Sequence, residues 1–333
     1  MNLRNWFEEL RHAPVKKALP ILSFPSAQLL GVSVRQLISD SGMQAEGMIR
    51  IAARTDALAA VSLMDLSVEA ECYGSQIRFS ENEVPTVRGR VISTLEEALE
   101  LSEPEVGSAR SGIYLDAVRQ AKAKISDRPV FAGMIGPFSL AGRLMDVSET
   151  MVHCYEAPEL VHMLMEKVSD FLVSYGAAYR KAGADGILMA EPLTGMLSPA
   201  LAREFSAPYV KKIVNLLQSD DFGIIYHNCG DNTLQMADSI ASLGAMAYHF
   251  GNSISMKEML ERFPAEYPVM GNLDPAGILK NGTPEQVRQA TLELMADCGR
   301  YENFIPSSGC DIPPQTPWEN IDAFLAAVAE AQK

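Results

Sequence analysis

The chain has 333 residues, 47% of them hydrophobic, with 42 acidic against 28 basic residues and a formal charge of −14. Such a composition supports a sizeable core and excludes disorder, collagen and coiled coil. Its negative field disfavours nucleic acid and anionic membrane surfaces as partners.

The N-terminal stretch MNLRNWFEELRHAPVKKALP has no apolar run behind its charges. No segment approaches the roughly 18 unbroken apolar residues of a spanning helix, so a cytoplasmic protein is expected. Short apolar runs then recur as candidate strands: ALPILSF (18–24), ALAAVSLMD (57–65), RPVFAGMIG (128–136), GILMAEP (186–192), GIIYHNC (223–229), GAMAYHFGN (244–252), YPVMGN (267–272) and NFIPSSG (303–309). Between them lie amphipathic helical patterns, such as 157–183 and 284–299, the latter opened by Thr283 as N-cap before Pro284. Near-continuous apolar strands alternating with helices predict an α/β fold, a single (β/α)8 barrel domain over 1–333. The rhythm breaks at 67–95, where QIRFSEN and TVRGRVI alternate in the two-residue period of a hairpin insertion.

Active sites of such barrels sit at the carboxyl ends of the strands, and several reactive side chains fall there. In Tyr226-His227-Asn228-Cys229-Gly230, residues two apart share a face, so His227 and Cys229 can project together into the barrel mouth. Cys310 follows the last predicted strand and offers a third soft ligand. One His and two Cys form a common zinc set, and three protein ligands with an open fourth position mark a catalytic zinc. Taken alone, Cys229 also fits a small buried hydrophobe.

Glu191 ends another strand and is a candidate catalytic carboxylate, either behind the metal or as a displaceable fourth ligand. Asp65 closes the second run in the same situation, while the following Glu69 and Glu71 are expected to face solvent. His249 and Asp274 are candidate substrate contacts, Asp274 also suiting a helix cap. His12, His153, His162, Cys72, Cys154 and Cys298 lack ligand-like surroundings. No phosphate loop, nucleophile elbow or H-E-x-x-H helix is present.

Four segments together resemble the uroporphyrinogen decarboxylase superfamily: FAGMIGPFSLAG (131–142), AGADGILMAEPLTGMLSPALAREFSAPYVKKI (182–213), MGNLDPAGIL (270–279) and SGCDIPPQTPWENIDAFLAAV (308–328). The resemblance implies one (β/α)8 barrel and one of two chemistries. Decarboxylases carry an arginine-rich motif at the first strand, where this chain reads LPILSFPSAQLLG (19–31) without arginine. A porphyrinogen with many carboxylates needs cationic partners, although Asp65 does match the decarboxylases' pyrrole-binding aspartate. The other branch, the zinc-dependent methylcobamide:coenzyme M methyltransferases, has H-x-C and a distant Cys, matched by His227, Cys229 and Cys310.

That branch implies zinc activation of a small thiol, which takes a methyl group from a methylated corrinoid carried by a small corrinoid-binding protein. Two alternatives stand beside it. One is a lyase acting through Asp65; the other is a non-catalytic barrel that captures a corrinoid or thiol.

Overall fold

The computed structural model describes residues 1–332. Among the described residues nine strands form: β1 Ala60–Val61, β2 Gln76–Arg78, β3 Thr86–Arg88, β4 Val130–Ile135, β5 Gly186–Ala190, β6 Gly223–Asn228, β7 Ala247–Phe250, β8 Val269–Leu273 and β9 Phe304–Ser308. Seven of them make one parallel sheet in the order β1-β4-β5-β6-β7-β8-β9, with helices crossing between successive strands. This curled sheet is a TIM-type barrel wall.

The first expected strand, 18–24, forms no ladder. Pro20 and its neighbour Pro306 have no backbone N–H to give one, and Ile21 N donates to the Ser308 hydroxyl instead. The segment still spans the seam: Leu58 N donates to Ala18 O, and Leu19 N to Pro306 O, each at 2.9 Å. The barrel therefore closes through single hydrogen bonds between its two edge strands.

Alternate residues of the strands point inward, where Val61, Phe131, Leu188, Ile225, Ala247, Met270 and Ile305 meet. The helix Leu3–Arg11 adds Leu3 and Phe7 to this layer and seats its rings against Phe131, near the start of β4. It plugs the amino-terminal end, leaving the carboxyl end of the strands for chemistry.

The expected helices form with bounds close to those read from the periodicity. Pro158–Ala182 ends at Gly183, whose φ of 99° suits glycine. Pro284–Cys298 opens with a reciprocal capping box between Thr283 and Gln286. In the insertion, β2 and β3 pair antiparallel with Ile77 opposite Val87. Its first residues are helical rather than extended: Val68–Cys72 makes a short helix that buries Val68, Glu69 and Ala70. Among the described residues no helix is long and apolar enough to cross a membrane.

Candidate metal centre

On β6, Ile225 belongs to the inner layer, so His227 two residues later rises from the same face at the strand's carboxyl end. Cys229 follows directly, and Cys310 lies just past β9. One ligand atom from each of His227, Cys229 and Cys310 lies within 4.8 Å of the other two, and Cys310 Sγ stands 3.6 Å from His227 Nε2. The imidazole is buried while both cysteines remain partly open. Gly251 permits this approach, because a Cβ there would meet Cys229 Cβ at 2.4 Å.

The hydrogen bond between the two thiols shifts them in opposite directions. Its hydrogen bond to Cys310 holds Cys229 below the ordinary thiol range. The same bond, reinforced by burial, pushes Cys310 up to about 12. Two sulfurs set side by side next to an imidazole are a donor set that suits a soft divalent cation.

Register explains what stands behind the imidazole. His227 pairs with His249 across β6 and β7, so both rings face inward side by side. The Ser307 hydroxyl donates to Leu19 O at 2.6 Å, and His249 Nε2–H donates to the Ser307 oxygen at 2.9 Å. That leaves His249 Nδ1 as acceptor for His227 Nδ1–H at 2.8 Å. The chain of donors fixes the His227 tautomer and turns its Nε2 lone pair toward the thiols, as a metal ligand requires. Burial, and His227 beside it, hold the His249 pKa well below the usual range, so that ring is neutral and can accept.

His249 thus sits at 0% exposure with both nitrogens engaged. It stands behind His227, away from the open side of the cluster, where the sequence suggested a substrate contact.

Glu191 is likewise fully buried, and its carboxylate faces a helix rather than the triad. It accepts from Phe138 N at 2.8 Å, Ser139 N at 3.0 Å and the Ser139 hydroxyl at 2.7 Å, capping the helix Pro137–Met145 from outside. Burial raises its pKa to about 7, against those hydrogen bonds. Gly136 makes room, since a Cβ there would lie 2.2 Å from Glu191 Cγ. Asp274 accepts from Ala276 N and Gly277 N, both at 2.9 Å, and serves as a helix cap.

A second polar cluster surrounds Asp65. One of its oxygens accepts from Ser67 N and the Ser67 hydroxyl; the other accepts from Tyr114 OH at 2.8 Å and from Arg110. Arg110 also pairs with Glu71 at 2.6 Å. Glu69 does not face solvent: it is buried, accepts from Ile135 N, and burial raises it to about 7. The reason is helical rather than extended backbone at 68–72, which turns Glu69 under the helix.

Comparison with known proteins settles the lineage. A profile of the uroporphyrinogen decarboxylase (URO-D) family matches residues 8–331. The chain belongs to the uroporphyrinogen decarboxylase family. It is 30% identical over 265 residues, 78% of its length, to the methylcobamide:CoM methyltransferase MtbA of Methanosarcina acetivorans, covering 76% of that protein. It is also 27% identical over 281 residues to the uroporphyrinogen decarboxylase of Coxiella burnetii, with 81% and 76% of the two chains aligned. In structure it superposes on a methyltransferase from Methanosarcina mazei with a TM-score of 0.87 at 22% identity, over 99% and 98% of the chains, which shows the shared fold.

The described residues bring together one cluster able to hold a metal ion, His227, Cys229 and Cys310. Sequence reading found its three members but missed Arg110, Ser307 and the buried Asp311, which accepts from the Ser23 hydroxyl. No local pattern marks Arg110 or Ser307; only register and helix docking bring them to the site. Asp311 was adjacent to Cys310 and signalled by that position alone.

Proposed function

We propose that the protein is a zinc-dependent methyltransferase that moves a methyl group from a methylated corrinoid, presented by a small partner protein, to a small thiol. The observation that carries this reading is the convergence of His227, Cys229 and Cys310 at the open end of the barrel. The donor set fits zinc: one imidazole of fixed tautomer and two sulfurs, with no fourth protein ligand among the described residues. When bound, zinc would supply the Lewis acidity that keeps a substrate thiol deprotonated near neutral pH.

The chain's own residues do the rest. His249 and Ser307 orient His227, the partly open cysteines leave one side accessible, and the inner apolar layer below excludes water from beneath the site. The name of the Methanosarcina acetivorans relative supports coenzyme M as an acceptor type. A decarboxylase reading through Asp65 has weaker support, because that carboxylate is already saturated by Arg110, Tyr114 and Ser67.

The test is elemental analysis of protein purified under reducing conditions, with methylcobalamin demethylation followed by absorbance. About one zinc per chain and thiol-dependent demethylation are expected of the wild type, both lost in Cys310→Ser. Equal zinc and equal turnover in the variant would sink the proposal. Uroporphyrinogen turnover without zinc would move the assignment to the lyase.

A further inference from the structure

At the amino-terminal end of the barrel, opposite the metal cluster, three parts of the chain enclose a cavity of about 540 Å³. They are residues 11–16 after the plugging helix, residues 299–302 leading into β9, and Ala331 and Gln332 at the end of the last helix, Trp318–Glu330. Gln332 ties the third part to the first: its amide donates to Lys16 O at 2.7 Å and accepts from Lys16 N.

The chain carries a net charge of −14, yet this cavity is walled by Arg11, His12, Lys16 and Arg300, with Glu302 the single acid among its described lining residues. Glu302 is directed at His12, 3.9 Å from Nδ1, and Arg11 Nη1 donates to both oxygens of Glu8 at 2.9 Å. Arg11 Nε is buried without a partner among the described residues. Lys16 Nζ donates only to backbone carbonyls, of Glu302 at 3.1 Å and of Phe304 at 3.0 Å, and burial lowers its pKa against the opposing Glu302 charge. Arg300 donates to Tyr301 OH at 3.1 Å, and among the described residues neither it nor Lys16 forms an ion pair. Cations gathered with so little counter-charge repel one another, and a bound anion relieves that repulsion.

A second cavity, of about 210 Å³, shares Ala13 and Lys16 with the first and is lined by Leu10, Val15, Leu58 and Ile305. Lys17 also lines it, but pairs with Asp56 at 3.7 Å. The two cavities therefore meet at Lys16, one charged and the other apolar. Guanidinium forks beside an ammonium match the oxygens of a phosphate dianion, and the adjoining aliphatic walls suit a short hydrocarbon. We propose that the joined cavities bind a phosphate monoester with a short apolar tail, the phosphate among Arg11, Lys16 and Arg300 and the tail against Leu10, Val15, Leu58 and Ile305. The site is separate from the metal cluster and stands or falls independently of the methyltransferase reading.

The test is calorimetric titration of inorganic phosphate and of n-butyl phosphate into the wild type and four variants. Butyl phosphate is expected to bind about tenfold or more tighter than inorganic phosphate, as burial of two or more methylenes predicts. Arg300→Gln, at an exposed position that leaves the fold intact, is expected to weaken both ligands about tenfold or more, with part of the loss recovered in Arg300→Lys. Arg50→Gln removes an exposed arginine paired with Glu46 on another helix, and Cys310→Ser alters the metal cluster; both are expected to bind as the wild type does.

Absent binding in the wild type, or equal binding in Arg300→Gln, overturns the site. An equal loss in Arg50→Gln would assign the binding to the general field of the surface, and a loss in Cys310→Ser would place it at the metal cluster; either result also overturns it. Equal affinity for the two ligands removes the apolar cavity from the site and rejects the proposed ligand class.

Discussion

Two polar clusters at the carboxyl end of this barrel treat their reactive atoms in opposite ways. Around His227, the hydrogen bonds lie behind the imidazole, and the ligand atoms themselves are left facing one another across the mouth. Around Asp65, the hydrogen bonds go to the carboxylate oxygens directly, from Arg110, Tyr114 and Ser67. The first arrangement orients atoms for a bound group; the second consumes them in holding loop to helix. A buried acidic residue at a strand end is therefore weak grounds for catalysis until its partners are known.

The contrast can be broken from either side. Arg110→Ala leaves Asp65 buried and uncompensated, and a loss of about 3–5 kcal/mol in stability is expected by urea denaturation. Zinc content of the folded fraction should stay the same. Loss of zinc without loss of stability would show that the Asp65 cluster serves the metal rather than the fold.

A smaller effect is expected from protons. Glu69 is raised from 4.5 to about 7 in the folded chain. The fold thus holds a proton that the unfolded chain releases, so this group's contribution is complete below pH 4.5 and declines as pH rises through about 7. Glu69→Gln should flatten the fall in stability between pH 4.5 and 7 by up to about 3 kcal/mol, read from urea midpoints across that range. An unchanged slope would assign the pH dependence to Glu191 or Asp311 instead.

The smallest effect should sharpen the role of the imidazole pair. His249→Phe removes the acceptor for His227 Nδ1–H, and zinc affinity is expected to fall about 10- to 100-fold in competition with a chromophoric chelator. Ser307→Ala, one bond further out, should shift it less in the same direction. Unaltered affinity in His249→Phe, with elevated KM for the thiol, would restore His249 as a substrate contact.

Much of this was legible in order along the chain, because it depends on local period and local turns. The alternation of apolar runs and helical patterns defines the barrel class, and Thr283 with Pro284 marks a helix start that the capping box confirms. H-x-C at the end of an apolar strand places two candidate ligands on one face, since side chains in a strand alternate. Segment 18–24 reads as a strand because its apolar content hides the missing donors of Pro20 and Pro306. Glu69, expected to face solvent, is turned inward by the helix Val68–Cys72.

By itself, then, the sequence determined the parallel α/β architecture, the hairpin between barrel units and the identity of three metal-ligand candidates. Tertiary structure alone decided what their neighbours do. Strand register put His249 behind His227, and helix docking spent Glu191 on backbone amides and Asp65 on Arg110. The physical reason is range: period and capping act within a few residues, whereas each of these partnerships joins side chains tens of residues apart, and no local pattern records such a distance.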